Sequence, residues 1–243
     1  MAYLQSALRL IYPPRCTVCG GLVDSDFGLC GPCWRDTPFI AGAVCDLCGT
    51  TLPAGPEAED GLLHCDDCLT LPRPWSTGRA ALMYRDNGRK LVLALKHGDR
   101  QDVVRPAAVW MARAVRPLLR PDTLIAPVPL HWLRLLKRRF NQAALLARAV
   151  AQEVDRPWCP DLLIRSRHTP ALGGKGRDAR FATLSGTIAV HPKRGHRLAG
   201  RHVLLVDDVM TSGATFAAAA TACLAAGASD VSILALARAG KDP

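Results

Sequence analysis

Residues 203–215 place two adjacent carboxylates beside a short loop of hydroxyl-bearing and small residues. The apolar run 203–206 predicts a buried strand, and Asp207 and Asp208 follow at its carboxyl end. The loop 211–215 comes next, before an alanine-rich helix. In an open parallel sheet, ligands bind just beyond the carboxyl ends of strands, and the N–H groups that open a helix attract phosphate. Because paired carboxylates accept hydrogen bonds from a diol, the pattern predicts a site for a phosphorylated ribose. The plainer interpretation is an ordinary strand–turn–helix unit.

The cysteines indicate a second kind of site, for a metal. Eight of the ten lie before residue 70 in four Cys-x-x-Cys pairs, whereas Cys159 and Cys223 are isolated and are expected in the core. Two such pairs complete a tetrahedral zinc site, and an all-thiolate site is typical of structural zinc. We expect two sequential zinc ribbons; cross-braced pairing and a redox or iron–sulfur site are the alternatives. The sequential ribbons would use Cys16, Cys19, Cys30 and Cys33 for the first site, and Cys45, Cys48, Cys65 and Cys68 for the second.

The charge of the chain is unevenly distributed. Residues 1–72 hold three basic and nine acidic side chains, although the whole chain has a net charge of +10. An acidic module repels nucleic-acid phosphates, so we expect it to dock a protein partner or to cap the rest of the fold. The basic surface falls within residues 131–201, where its charge suits pyrophosphate or single-stranded nucleic acid. Phe181 is the one aromatic residue of the stretch 165–201, which argues against a dedicated base-stacking platform.

The order of predicted elements indicates an α/β fold. Strands are expected near 79–84, 124–128, 203–206 and 231–235, and helices near 88–97, 103–119, 141–154 and 215–226. Such alternation predicts a doubly wound parallel sheet. The prolines of residues 71–75 favour extended chain, so this stretch is interpreted as a linker. The expected domains are therefore a double zinc-ribbon module over 1–72 and a sheet domain over 73–243.

The sequence also bears on the compartment. No apolar run is long enough to span a bilayer, and the first twelve residues lack the features of an export signal. Thiols are kept reduced in the cytoplasm, which suits zinc ligands better than disulfides. We therefore expect a cytoplasmic protein.

Residues 203–215 also resemble the phosphoribosyl pyrophosphate (PRPP) motif of type I phosphoribosyltransferases. That motif is a hydrophobic strand, two acids, two variable residues and a Thr/Ser-Gly-x-Thr loop. The resemblance implies that Asp207 and Asp208 hold the ribose 2′ and 3′ hydroxyls. It also implies that the loop cradles the 5′-phosphate, with Gly213 allowing close approach of the backbone. The loop residues are Thr211, Ser212, Gly213, Ala214 and Thr215.

Over nearly its whole length, the chain is similar to the ComF family, which joins a zinc module to a phosphoribosyltransferase domain. The similarity rests on Pro-Pro-Arg-Cys at 13–16, Lys-His-Gly-Asp at 96–99, Pro-Val-Pro at 127–129, Arg-Arg-Phe-Asn-Gln at 138–142 and Arg-Ser-Arg-His-Thr-Pro at 165–170. It implies that Lys96, Arg138 and Arg139 meet the charge of the leaving pyrophosphate, and that Pro129 shapes the pyrophosphate loop. Mg²⁺ would bridge pyrophosphate and the ribose hydroxyls. A solvated helix start or a nucleic-acid patch is the alternative for residues 134–139.

Two functions follow from this resemblance. The first is PRPP-dependent phosphoribosyl transfer to an unknown acceptor, with Asp207, Asp208, Lys96 and Arg139 as the catalytic residues. The second is PRPP binding without catalysis, in DNA uptake for competence or in other nucleic-acid handling. Several purine-salvage relatives carry an acid where Thr211 stands here, so the resemblance argues against a hypoxanthine or guanine acceptor.

Overall fold

A computed structural model gives the structure, and it describes residues 13–24, 28–53, 61–97, 100–130, 140–165, 181, 183–184 and 186–240. The strands in this part of the chain are β1 (Thr77–Met83), β2 (Leu124–Pro127), β3 (Leu163–Arg165), β4 (Ile188–Val190), β5 (His202–Met210) and β6 (Asp230–Arg238). The α-helices are α1 (Gly31–Arg35), α2 (Asp66–Thr70), α3 (Asp86–His97), α4 (Val104–Val115), α5 (Gln142–Glu153) and α6 (Ala214–Ala225). Short 3₁₀ turns cover Gln101–Val103, Arg116–Leu118 and Gly195–Arg197.

Four strands form a parallel sheet in the order β1-β6-β5-β2. Alternate side chains of each strand point to opposite faces, so both faces must be covered. On one face, Leu205 and Ile233 pack in a core cluster with Phe216 of α6. On the other, residues such as Leu204 pack with helices α3, α4 and α5 through Leu91, Met111 and Leu146. The predicted doubly wound parallel sheet is therefore confirmed, and Cys159 and Cys223 are buried as expected.

The central strands are longer than the sequence predicts. β5 does not end at Val206 but continues through the two acids to Met210, because β6 pairs with it over that length. β2, on the other side of β5, stops where Pro127 lies opposite Val206. Asp207 and Asp208 therefore lie inside a strand that projects beyond one of its neighbours. The short antiparallel pair β3–β4 was not predicted, since each strand has only three residues.

The cysteine-rich segment covers the outer side of β1, the edge of the sheet. The backbone N–H of Ile40 donates to the carbonyl of Ala81 at 3.0 Å, and Met83 N–H donates to the carbonyl of Pro38 at 2.9 Å. Gly78 N–H donates to the carbonyl of Asp46 at 2.7 Å. Edge strands carry unpaired backbone groups that invite unwanted pairing, and here those groups are used internally. Capping of the sheet, one of the two expected roles of this module, is thus observed.

The stretch predicted to be a linker is packed against the fold. Trp75 is only 3% exposed, and its Nε1–H donates to the carbonyl of Leu47 at 2.6 Å. The domain boundary after residue 72 stays a prediction. Among the helices of the described residues, none combines the length and the apolar character needed to cross a bilayer.

Candidate functional site

The acid pair of β5 lies beside a lysine from a distant part of the chain. Lys96, in the last turn of α3, places its Nζ 3.2 Å from Oδ1 of Asp208. Both side chains are largely buried, with 19% and 11% of their surface exposed. Exposed ion pairs contribute little, whereas a sheltered pair with good geometry fixes both groups. The structure thus brings together three residues that the sequence nominates: Lys96, Asp207 and Asp208.

The two carboxyl groups differ in their surroundings. Burial, and then the neighbouring charge of Asp208, raise the pKa of Asp207 to about 7. The charges of Lys96 and Arg165 act in the opposite direction, but they do not compensate. Oδ1 of Asp207 also accepts the backbone N–H of Asp208 at 2.8 Å, which fixes its orientation. Near neutral pH the carboxyl of Asp207 is thus close to its own pKa, as expected for a buried carboxyl beside another acid.

The loop after β5 turns sharply at Gly213. This residue has φ of +82° and precedes the first residue of α6. A Cβ at this position would lie 2.8 Å from Nη1 of Arg73 and 2.8 Å from Cε of Met210. The backbone conformation therefore requires glycine, and a Cβ would in addition displace the ends of the Arg73 and Met210 side chains. The turn brings the loop onto the N-terminal end of a 12-residue helix, where N–H groups and the helix dipole favour an anion.

Two arginines hold the carbonyl groups of this loop. Arg73 Nη1 donates to the carbonyl of Ser212 at 2.8 Å. Arg238 Nη1 donates to the carbonyl of Thr211 at 2.7 Å, to that of Met210 at 3.3 Å, and to that of Ala239. Arg238 is 3% exposed, so these bonds lie in a region of low dielectric constant. The loop is therefore fixed from the side of its carbonyl groups.

The predicted pyrophosphate loop begins at the end of β2. Val128 N–H donates to the carbonyl of Val206 at 2.9 Å, which continues the sheet ladder by one residue, and Pro129 is buried. Asn141 Nδ2 donates to the carbonyl of Val128 at 3.3 Å, and its Oδ1 accepts the N–H of Ala143 at 3.0 Å. Asn141 therefore caps α5, as predicted, and also ties that helix to the strand end.

Several predicted residues lie outside the described part of the chain. Arg138 and Arg139 belong to this group, as do the rest of residues 131–139, residues 166–180 of the basic stretch, and residues 98–99 of the Lys-His-Gly-Asp segment. Their roles stay predictions. Arg165, which opens the Arg-Ser-Arg-His-Thr-Pro segment, ends β3 and is close enough for its charge to lower the pKa of Asp207.

The eight paired cysteines form two separate clusters. One contains Cys16, Cys19, Cys30 and Cys33, the other Cys45, Cys48, Cys65 and Cys68, and all Sγ atoms in each lie within 4.8 Å of one another. The Sγ atoms of Cys19 and Cys30 are 3.7 Å apart, and those of Cys48 and Cys65 are 3.6 Å apart. A tetrahedral zinc ion with bonds of about 2.3 Å requires sulfurs roughly 3.8 Å apart. The sequential grouping is the observed one, and it suits two zinc sites.

The thiols of the second cluster share protons unequally. Hydrogen bonds from the thiols of Cys45 and Cys68 lower the pKa of Cys48, and the charge of Arg238 lowers it further. The same thiol pairing, together with burial, raises the pKa of Cys68. Four sulfurs at this spacing cannot all ionise unless a cation compensates their charge, and a structural zinc ion supplies that charge. The donor set therefore fits zinc.

Three residues of the site were missed by the sequence analysis: Arg73, Trp75 and Arg238. Arg73 and Trp75 lie in the stretch interpreted as a linker, and Arg238 follows a predicted strand that ends too early. An arginine directly after the buried run 231–237 was the available signal, because burying such a charge is costly unless it has partners.

Comparisons with known proteins agree with these two parts. Residues 7–69 match the model of the double zinc ribbon domain, and residues 141–243 match that of the phosphoribosyl transferase domain. The DNA utilization protein YhgH of Salmonella typhi is 30% identical over 236 residues, covering 94% of this chain and 99% of that protein. Competence protein F of Haemophilus influenzae is 27% identical over 231 residues, covering 93% of this chain and 97% of the relative.

A solved structure was also found, that of glutamine PRPP amidotransferase from B. subtilis in complex with ADP and GMP. It is 15% identical, and the match covers 60% of this chain and 30% of that one, with a TM-score of 0.40.

The fold and the family models define a class: a double zinc ribbon followed by a phosphoribosyltransferase domain of type I fold. Within that class, similarity to YhgH and to competence protein F extends over more than nine tenths of the sequence. The chain belongs to the ComF family.

Proposed function

We propose that the chain binds PRPP together with Mg²⁺ at the projecting end of β5 and transfers its phosphoribosyl group to an acceptor. The observation that carries this proposal is the contact between Lys96 and Asp208 at 3.2 Å, beside a loop whose turn requires Gly213. Paired acids, a cation and an anion-binding helix start then lie together at the carboxyl end of β5. The ligand that needs all three has a diol, a monophosphate and a pyrophosphate.

Each group has a role in this reaction. Asp207 and Asp208 accept hydrogen bonds from the ribose hydroxyls, and the loop 211–215 binds the 5′-phosphate. Lys96 and Arg139 stabilise the charge that develops as the bond between the anomeric carbon and pyrophosphate breaks. The acceptor forms the new bond to that carbon, and pyrophosphate leaves with the bonding electrons. Because the anomeric carbon has cationic character, positioning contributes more than a strong base.

The carboxylates of Asp207 and Asp208 also suit a Mg²⁺ ion that binds together with PRPP. Mg²⁺ is usually held by one or two carboxylates together with substrate phosphates. Two acids, one of them already paired with Lys96, are too few for a cage made by protein alone. When bound, Mg²⁺ neutralises charge on the leaving pyrophosphate.

The test is a calorimetric titration of the full chain with PRPP in the presence of Mg²⁺. Wild type should bind, and the double variant Asp207→Asn with Asp208→Asn should not. The matched control is Asp161→Asn, which removes a half-exposed acid that is paired with Arg194 elsewhere on the surface. A wild-type protein that gives no binding signal would refute the proposal. Release of pyrophosphate with a panel of acceptor bases then tests the transfer step.

A second candidate is PRPP binding without turnover, in DNA uptake or other nucleic-acid handling. The names of two relatives support it, since one is a DNA utilization protein and the other a competence protein. The basic stretch 131–201 would then bind single-stranded nucleic acid. Anisotropy titrations of a labelled oligonucleotide should show salt-sensitive binding that weakens in Arg138→Ala with Arg139→Ala. Binding of PRPP without release of pyrophosphate, together with this behaviour, would favour the second candidate over the first.

Two further expectations complete the proposal. The cytoplasm is the compartment, since it keeps thiols reduced and the described cysteines are all unbridged. The outer surface of the zinc module docks a protein rather than nucleic acid, because residues 1–72 are acidic.

A further inference from the structure

We propose that Arg73 and Arg238 are positioning residues that aim the phosphate loop, and that the second cysteine cluster holds both of them in place. This inference deepens the proposed function and rests on it for the identity of the ligand. It predicts that the order of the loop amides, and with it the affinity for PRPP, depends on the ribbon formed by Cys45, Cys48, Cys65 and Cys68, whereas the first ribbon does not affect the order of the loop.

The two arginines determine the direction in which the loop amides point. In a planar trans peptide, the carbonyl of one residue and the N–H of the next point in opposite directions. Arg238 holds the carbonyl of Thr211, and Arg73 holds that of Ser212. The N–H groups of Ser212 and Gly213 are therefore turned away from the two guanidinium groups. A backbone cradle for phosphate needs N–H groups turned toward one side, and these two bonds impose that direction.

Trp75 links Arg73 to the second ribbon. The guanidinium of Arg73 lies over the ring of Trp75, 5.3 Å from its centroid. Trp75 donates its Nε1–H to the carbonyl of Leu47, which lies between Cys45 and Cys48. The same ring packs edge-on against Phe216 of α6, with centroids 6.4 Å apart. Trp75 therefore connects the cysteine turn, the arginine and the helix that follows the phosphate loop.

A shared cavity brings Arg238 next to the second ribbon. Arg238 lines this cavity of about 530 Å³ with Cys65, Thr50 and Asp66 of the ribbon. A buried guanidinium needs compensating acceptors, and here these are the carbonyls of Met210, Thr211 and Ala239. Arg238 therefore joins the phosphate loop to a cavity that the second ribbon lines, and a displaced ribbon would change the surroundings of the arginine.

The second ribbon also packs tightly against the sheet domain, so a displaced ribbon would move the residues that it contacts. Arg79 Nη2 lies 2.7 Å from Oδ1 of Asp46, in the turn between Cys45 and Cys48. A Cβ on Gly49 would lie 2.5 Å from the backbone nitrogen of Ala80, so the turn is pressed directly against β1. A displaced turn would therefore displace its contacts with the sheet domain.

The first ribbon makes different contacts. The carbonyl of Cys33 accepts from Nδ2 of Asn87 at 3.2 Å, and the carbonyl of Thr17 accepts from Nη2 of Arg100 at 3.2 Å. Asn87 lies near the start of α3, and Arg100 lies beyond the end of that helix. Because α3 carries Lys96, loss of this ribbon acts on PRPP binding through that residue, but the ribbon has none of the contacts described above with Arg73 or Arg238. It therefore serves as the matched control for the order of the phosphate loop, since it has the same metal chemistry at another place in the fold.

The experiment measures Mg–PRPP affinity by calorimetry and, without ligand, hydrogen exchange of the amides of residues 211–215. Arg73→Gln and Arg238→Gln should each weaken binding about tenfold, the usual effect of losing one charge-assisted hydrogen bond. The same variants should speed exchange of the loop amides. Arg238→Lys should recover part of the affinity, because lysine can still donate to a carbonyl. Trp75→Phe keeps an aromatic ring but loses the hydrogen bond to the carbonyl of Leu47, and should show a smaller loss of affinity.

Two controls separate this inference from general damage. Arg120→Gln removes an arginine outside the basic stretch that is paired with Asp230 at the start of β6, and should leave affinity and loop exchange unchanged. Cys48→Ser should speed exchange of the loop amides and weaken PRPP binding, whereas Cys19→Ser should leave loop exchange within about twofold of wild type; zinc content confirms which site is lost.

The outcomes also separate this inference from the proposed function. Wild-type affinity and wild-type loop exchange in both Arg73→Gln and Arg238→Gln would overturn the inference while leaving PRPP binding intact. An equal loss in Arg120→Gln would overturn it as well. Absence of binding in the wild type would refute the proposed function, and loop exchange would then decide on the two arginines alone.

Discussion

Replacing Asp207 by asparagine should stabilise the fold at neutral and alkaline pH, even though it removes a group proposed to hold the ribose. Burial and the charge of Asp208 raise the pKa of Asp207 from 3.8 to about 7. The folded state therefore binds the proton of this carboxyl more tightly than the unfolded state does. The associated stability is fully present below pH 3.8 and is lost as the pH rises to about 7. Asparagine keeps the oxygen that accepts the N–H of Asp208, and it carries no charge.

The size of the effect follows from the shift. About three pKa units correspond to roughly 4 kcal/mol of differential interaction as an upper bound, at about 1.4 kcal/mol per unit. The side chain is only partly buried, and solvent screens part of this energy, so we expect about 2 kcal/mol. A difference of that size is a substantial part of the total stability of a domain.

Urea denaturation of the two proteins at a series of pH values between 5 and 8.5 measures this difference. The thiols and other titrating groups are common to both, so the difference between the curves isolates Asp207. The stability gain of Asp207→Asn should grow with pH up to about 7 and then level off. A variant that is less stable than wild type at pH 8.5, or a difference that does not change with pH, would refute the reasoning. Calorimetry with Mg–PRPP on the same samples should show weaker binding in the variant.

Three more outcomes are expected. Lys96→Gln leaves the largely buried Asp208 without a cation at 3.2 Å, and calorimetry should show PRPP binding weakened at least about tenfold. Gly213→Ala forces φ of +82° on a residue whose Cβ would crowd Arg73. It should cost about 1–2 kcal/mol in denaturation experiments and abolish binding, whereas Gly200→Ala, with φ of +68° and open space, should lose stability only. Burial lowers the pKa of His202, whose ring bonds Thr123 and Ser232 at 2.8 Å each. Wild type should therefore lose stability as pH falls below 6.5, because the unfolded state takes up the proton first, and His202→Gln should show a weaker pH dependence in the same window.

The elements that the sequence predicted correctly depend on local patterns. Helices α3, α4 and α5 each have an apolar periodicity of their own, whereas α6 is marked by its run of alanines. The cap at Asn141 is a local signal, and the cysteine pairs lie close together along the chain. The end of β5 was misplaced because two acids look like the end of a strand. Their place in the ladder depends on β6, which pairs with β5 as far as Met210 opposite Arg238. The pairing register of two strands that are distant in the sequence depends on both strands, and it cannot be inferred from either strand alone.

The arginines at the phosphate loop could not be predicted for a related reason. Arg73 and Ser212 are separated by 139 residues, and nothing near Arg73 in the sequence indicates its partner. The prolines around it favour an extended linker, and that inference uses local sequence only. It says nothing about where the side chains pack, because Trp75 is buried by a ribbon on one side and by α6 on the other.

The position of the second ribbon suggests why this module and this enzyme-like fold occur in one chain. The contacts that cover the edge of β1 are made by Asp46, Pro38 and Ile40, and the turn containing Asp46 also holds Trp75 through Leu47. The turn that contains Asp46 therefore helps to protect a sheet edge, together with the preceding segment of Pro38 and Ile40. The same turn holds Trp75, whose ring packs against the arginine proposed to orient the phosphate loop. Removing residues 1–72 would expose the edge and release Trp75 at once, so loss of PRPP binding by residues 73–243 alone would not distinguish the two effects. Point variants in the full chain do distinguish them, because Arg238 contacts the loop but lies outside the contacts that cover β1.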